Sequence, residues 1–374
     1  MQMRCPALPA MRVFCLCLFC LLCSTTLASP QAAAFCIQVQ AIALQPGERK
    51  VPGVVTGRVE PICPEFTYRN GVKSPDQPCG LKRVESYALE PDTEGHTYIS
   101  QLIDKPRQMI VDTGGARSEL YSSAVREMGL KTMRANTAAH HNPYDSGEQV
   151  AMNGYVSDMV AIAPSISFGV LKFENATFSV VQDSRKPPLA DNEIAGTLGP
   201  NHLMTFDVEF DFAAHRLNLY LQPHCAGSAV YWAQAYTVVP FTLSREGHIL
   251  LRMTLDGKPV TATLDSGAPV STLDMAAAAR LFPIDRKIPG VDATGHDASL
   301  PEGANWTYSQ RFKHLSVAGI DIQIPVLTLM HDRINESSDE HAPQLILGLR
   351  EMSALHMFIA CSEDQLYVTA AHAY

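Results

Sequence analysis

From Gly95 onward the chain is written in short runs of alternating apolar and polar residues, broken by Gly, Asn, Asp or Pro. A period of two is the mark of a strand with one face buried, and Gly- or Asn-containing breaks of a few residues are the mark of hairpin turns. Ile166-Ser167-Phe168-Gly169-Val170-Leu171-Lys172-Phe173 and Leu315-Ser316-Val317-Ala318-Gly319-Ile320-Asp321-Ile322 both predict hairpins. Phe206 to Tyr220 and Leu355 to Val368 predict two more. Helical pattern is scarce: each half has one short stretch of it, beginning Pro200-Asn201-His202-Leu203 in the first and Leu349-Arg350-Glu351-Met352 in the second.

The same series of elements comes twice. Gly95-His96-Thr97-Tyr98-Ile99 is echoed by Gly247-His248-Ile249-Leu250-Leu251, and Leu102-Ile103-Asp104-Lys105-Pro106 by Leu255-Asp256-Gly257-Lys258-Pro259. Each leads into an apolar strand that ends on an acid: Met109-Ile110-Val111-Asp112-Thr113-Gly114 in one half, Thr263-Leu264-Asp265-Ser266-Gly267-Ala268 in the other. Phe178 to Asp183 matches Leu327 to Asp332, and Thr197-Leu198-Gly199 matches Ile346-Leu347-Gly348. Many short strands with one short helix per half predict an all-β protein of two similar lobes. The boundaries read as a leader over 1–34, an N-terminal extension over 35–90, a first lobe over 91–222, a linker over 223–236 and a second lobe over 237–374. The extension is rich in turn signals and reads either as packed on the body or as a removable prosegment.

Length and charge narrow the choice of function. A chain of 374 residues suffices for two domains with a sizeable core. A formal charge of −9 disfavours a polyanionic partner, so no nucleic acid is expected. Arg4 and Arg12 precede the apolar run Val13 to Cys23, followed by small residues that offer cleavage after Ala28 or Ala34. That pattern suits an export signal and is shorter than the roughly 20 residues a bilayer span needs, so the mature chain is expected in the periplasm or secreted, with no stable membrane span. An uncleaved signal anchor is the competing reading of this segment. Of the ten cysteines, Cys36, Cys63, Cys79, Cys225 and Cys361 follow the leader. Export permits disulfides; Cys63 with Cys79 and Cys225 with Cys361 are the natural pairs, which leaves Cys36 over.

The chemistry lies in the repeated acid. An Asp at the end of a buried strand is costly unless its charge is used. Two carboxylates brought within hydrogen-bond distance do not both ionise readily, so one keeps a proton while the other is a base. The repeated Asp-Thr/Ser-Gly with a later apolar-apolar-Gly segment resembles the aspartic peptidase superfamily, in the retropepsin-like form found in bacterial aspartyl proteases. The resemblance covers roughly Gly95 to Val368. It implies two acid-protease-type β lobes related by a pseudo-twofold axis, within a monomer. Asp112 and Asp265 would then be the catalytic pair, with a water between them and a peptide or unfolded protein as substrate. It further implies that Thr113 and Ser266 clasp each other's loops, that Gly114 and Gly267 let backbone approach the carboxylates, and that Gly199 and Gly348 let a segment cross behind them. No cofactor or metal is called for.

The chain also departs from that pattern. Gly115 stands where relatives more often carry Ala, Ser or Thr, and with Ala268 in the second copy neither Asp is offered a hydroxyl by that position. A carboxylate lacking such a bond titrates higher, which predicts activity reaching mildly acidic or near-neutral pH. A flap over the substrate is sought around Asn153-Gly154, or in Ala293-Thr294-Gly295 with Trp306-Thr307-Tyr308. His140-His141 with Asp145 lacks ligand spacing and reads as a solvated loop. Asn175-Ala176-Thr177, Asn305-Trp306-Thr307 and Asn335-Glu336-Ser337 match the glycosylation pattern, which matters only in a eukaryotic host. Two other readings use the same residues: a non-catalytic peptide-binding or scaffolding protein that keeps the fold, and a homodimer that pairs equivalent lobes of two chains.

Overall fold

The computed structural model describes residues 80–134, 158–244, 247–282, 307–330 and 343–371, together with the backbone of short strands at 68–69, 72–73, 149–150, 156–157 and 293–296 and of Trp306. The leader, Cys36, Cys63, Cys79, His140, His141, Asp145, Asn153-Gly154 and Asn335-Glu336-Ser337 lie outside the described residues.

The architecture is all-β and two-lobed. The chain opens on strand β1 (Arg83–Ala88). The first lobe then runs through β2 (Thr97–Leu102), β3 (Pro106–Val111), β4 (Glu119–Tyr121), helix α1 (Ser122–Glu127), β5 (Met159–Phe168), β6 (Leu171–Val181), β7 (Ile194–Leu198) and helix α2 (Pro200–Leu203). A hairpin of β8 (Asp207–Asp211) and β9 (Arg216–Tyr220) follows. The second lobe repeats the order with β10 (Thr237–Leu243), β11 (Ile249–Leu255), β12 (Lys258–Leu264), β13 (Thr272–Asp274) and helix α3 (Met275–Leu281). It continues with β14 (Trp306–Arg311), β15 (His314–Val317), β16 (Ile320–Gln323), β17 (Val326–Met330), β18 (Leu345–Leu347) and helix α4 (Leu349–Met352), then the hairpin β19 (Leu355–Ala360) and β20 (Gln365–Ala370).

The predicted hairpins form where turn chemistry allows. Gly169 turns β5 into β6 at a φ of 55°, and Ala318-Gly319 turn β15 into β16 at φ values of 44° and 92°. Positive φ at both Ala318 and Gly319, and at the first turn residue Gly169, matches the right-handed twist of the flanking strands.

Each lobe also holds a helix that alternation alone did not predict. α3 is an alanine run started by Asp274, whose side chain accepts from the Ala277 amide at 2.7 Å. α1 is started from across the lobe: Asp183 accepts from the Ser123 amide at 2.8 Å and from both the Ser122 and Ser123 hydroxyls. Burial alone would raise the Asp183 carboxyl, but the bonds from Ser123, Arg185 and Ser122 hold it down to about 2.

Six antiparallel strands tie the lobes together in the order β10, β20, β19, β8, β9, β1. The central contact is β8 against β19, one hairpin from each half, with Phe210 opposite Met357. β1 closes the far edge against β9, so residues 83–88 of the segment read as an N-terminal extension are a strand of this sheet. The core runs through both lobes; Phe168, Phe178, Phe206, Phe210 and Phe358 are fully buried. Each such side chain contributes on the order of 2–3 kcal/mol. Glu209, also fully buried, accepts from Asn218, Tyr220, Tyr231 and His356, and its bond to His356 spans β8 and β19. A buried carboxylate with this many donors is satisfied, so the network fixes how the two hairpins meet.

The cysteine pairing differs from expectation. Cys361 is a buried free thiol, while Cys225 is disulfide-bonded to a cysteine other than Cys361. Cys361 sits in the turn between β19 and β20, next to the Met204 sulfur at 3.4 Å, and its amide donates to Asp207. It therefore packs as a small apolar side chain.

Candidate active site

Each Asp is delivered by the same device. β3 ends at Val111 and β7 runs parallel beside it, so the Asp112 amide donates to the Leu198 carbonyl at 3.0 Å. β12 and β18 repeat this, with the Asp265 amide donating to the Leu347 carbonyl at 3.0 Å. The chain then turns back sharply, and the turn amides point at the acid. Asp112 Oδ1 accepts from Gly114 at 3.0 Å and Gly115 at 2.7 Å; Asp265 Oδ1 accepts from Gly267 at 2.8 Å and Ala268 at 3.1 Å.

Four hydrogen bonds lock the two loops together. The Thr113 hydroxyl donates to the Leu264 carbonyl at 2.9 Å and accepts from the Ser266 amide at 3.0 Å. In return the Ser266 hydroxyl donates to the Val111 carbonyl at 2.8 Å and accepts from the Thr113 amide at 3.0 Å. Both hydroxyl residues are fully buried. Each one closes two otherwise unpaired backbone groups of the opposite loop.

The loops are so close that glycine is required. A Cβ on Gly114 would lie 2.1 Å from Cγ of Asp265, and one on Gly267 would lie 2.5 Å from Cγ of Asp112. Each loop's glycine thus abuts the other loop's acid, and the two carboxyls are hydrogen-bonded to one another. Gly199 and Gly348 are restricted from behind: a Cβ there would lie 2.5 Å from the Arg117 backbone carbon and 2.5 Å from the Val270 carbonyl oxygen.

The pair holds its proton tightly. Burial raises both carboxyls; the charge of Asp112 raises Asp265 further, while the turn amides and the field of His248 act to lower Asp112. These directions describe a coupled pair, so the proton belongs to both acids together.

The structure brings Asp112, Thr113, Gly114, Asp265, Ser266, Gly267, Gly199 and Gly348 into one place. It adds a support that the sequence reading passed over. Six residues after each Asp stands a buried serine whose hydroxyl accepts from the crossing glycine amide: Ser118 from Gly199 at 2.8 Å, Ser271 from Gly348 at 2.9 Å. The first short helix of the crossing holds Ser118 from both sides, through Asn201 at 2.6 Å and His202 at 2.7 Å, and Glu351 accepts from the Ser271 amide in the second lobe. The equal offset of the serines was the available signal. His248, whose field reaches Asp112, was visible only as the echo of Gly95-His96.

The first flap candidate has arms 149–150 and 156–157 paired antiparallel, with Asn153-Gly154 outside the described residues. Ala293 to His296 pairs with β14, so that candidate is also a strand pair in the second lobe. Among the described residues no three His, Cys, Asp or Glu side chains gather as metal ligands would, and no helix is long and apolar enough to cross a membrane.

No protein-family model matches the chain, and no curated protein matches it. Similar solved structures include basic 7S globulin from soybean, at 9% identity over 79% of this chain and 97% of that one, with a TM-score of 0.43. Conglutin gamma, a basic 7S globulin from lupine seeds, is similar at 11% identity over 78% of this chain and 95% of that one, with a TM-score of 0.45. A retropepsin-like aspartic protease from Rickettsia conorii is similar at 14% identity over 36% of this chain and 89% of that one, with a TM-score of 0.26. Likeness at this distance concerns the fold alone. The two-lobed arrangement rests on the strand pairing described above.

Proposed function

We infer that the chain is an aspartic-type endopeptidase whose site is the Asp112–Asp265 pair. The supporting observation is the hydrogen bond between two buried carboxyls supplied by two copies of one motif in a single chain. The dyad of aspartic proteases is the established example of two acids sharing one proton, and it serves here as the model. The ionised member takes a proton from water as the oxygen attacks the peptide carbonyl. The protonated member donates to the carbonyl oxygen, so a tetrahedral diol forms without a covalent enzyme intermediate. Transfer of a proton to the leaving nitrogen then breaks the C–N bond. The substrate is an extended peptide or an unfolded protein, and the monomer suffices because both loops belong to one chain. Export to the periplasm or the medium is part of this reading, and rests on the leader pattern of residues 1–34.

The test is hydrolysis of an unfolded protein by the purified chain across pH 3 to 9. Catalysis requires one proton on the pair, and that proton is lost only as pH rises through the upper pKa. Burial, and then the charge of Asp112, raise Asp265, so the alkaline limb of kcat/KM falls well above the ordinary carboxylate range. Activity is therefore expected to persist to near-neutral pH. A profile confined to strongly acid conditions would contradict the pKa argument. Peptide binding without cleavage at any pH would favour the scaffolding reading instead.

A further inference from the structure

β4 brings a third carboxyl to the face of the sheet that carries Asp112. Glu119 lies opposite Thr197, and Thr197 lies opposite Ile110. Residues opposite one another in a sheet share a face, as do residues two apart along a strand. Ile110, Thr197, Glu119 and Asp112 therefore project to one side. Met109, Val111, Leu198 and Leu120 project to the other, where all four are core.

Glu119 is half-buried there, and among the described residues its carboxyl has neither a hydrogen bond nor an ion pair. The neighbouring polar groups do not satisfy it. The Thr197 hydroxyl is itself buried without a partner among the described residues. Arg185, which lies over the Tyr121 ring, bonds Asp183 and the Ile194 carbonyl, and no bond joins it to Glu119. Burial, then the charge of Asp112, push the Glu119 carboxyl up to about 8. A half-buried acid that meets no cation among the described residues, beside a second acid, is an expensive arrangement unless a ligand completes it.

The other lobe shows that the fold does not require it. Thr272 holds the matching place on β13, opposite Ile346 and Thr328. Glu119 and Thr272 each stand seven residues after their Asp, so the two lobes differ in charge at this matched position.

We propose that Glu119 determines specificity: it selects substrates with a lysine or arginine side chain beside the scissile bond, and it sets the direction in which the peptide lies across the two acids. A cationic side chain would allow the carboxyl to ionise and accept a charge-assisted hydrogen bond. This rests on the peptidase reading for its biological meaning, but the preference is measurable without turnover.

The experiment uses peptides that carry one reduced, non-hydrolysable amide and differ only in lysine against norleucine at each of the four positions flanking that amide. Their dissociation constants are compared for the wild-type chain and for Glu119→Gln, Glu119→Asp and Glu119→Lys. In parallel, the termini produced from an unfolded protein are sequenced by mass spectrometry. The wild type is expected to favour lysine roughly 10- to 100-fold at a position on one side only. Glu119→Gln brings that ratio close to one, Glu119→Asp keeps part of it, and Glu119→Lys reverses it in favour of norleucine. No lysine preference in the wild type, or one undiminished in Glu119→Gln, overturns the proposal. If the wild type cleaves nothing yet binds the lysine peptides selectively, the peptidase reading fails and the assignment of Glu119 stands.

Discussion

Asp112→Asn and Asp265→Asn each reduce hydrolysis of an unfolded protein by roughly a thousandfold or more, because either change leaves the pair without its base or its acid. The same substitutions are expected to stabilise the fold at neutral pH. Folding raises these carboxyl pKa values, so between the unfolded and folded values the native state holds more protons than the unfolded state. Stability then declines as pH climbs above the ordinary Asp range, and an Asn escapes that decline. The gain at pH 7 should be about 1–2 kcal/mol, read as a rise of roughly 2–4 °C in Tm, and should vanish near pH 3. Loss of activity together with loss of structure would mean that the acids are structural.

Thr113→Val is the second large effect. It removes the bonds to the Leu264 carbonyl and from the Ser266 amide, and leaves both of those buried groups unpaired. Each orphaned group costs about 1–3 kcal/mol, so a total of roughly 2–5 kcal/mol is expected in urea unfolding. The loops that aim the two acids also loosen, and a misplacement of about 1 Å at a reacting group costs on the order of a hundredfold in rate. Thr113→Ser keeps the hydroxyl and should retain most of both. Equal stability and activity in the Val and Ser variants would remove the clasp from the account.

Much of this arrangement was legible in the residues because the chain states it twice. Alternation around Gly169 and Ala318-Gly319 marked strands and turns, and the duplicated Asp-Thr/Ser-Gly with Gly199 and Gly348 marked what would meet. Local pattern does not reach the rest. α1 depends on Asp183, about 60 residues away in sequence, reaching back to Ser122 and Ser123. The cysteine expectation failed because Cys361, in the turn between β19 and β20, packs against Met204, a tertiary fact without a spacing signal. Glu119 reads on paper as a polar residue on a strand. Only the register with Thr197 and Ile110 puts it on the same side as Asp112.

The shared proton is the claim on which the chemistry depends, and carboxyl carbon NMR of the wild-type chain with labelled Asp reports it directly. The Asp112 and Asp265 resonances should titrate as a linked pair, with one step displaced well above the ordinary Asp range and abolished in either Asn variant. Two independent titrations, both near the value of a free aspartate and each indifferent to loss of the other acid, would contradict it.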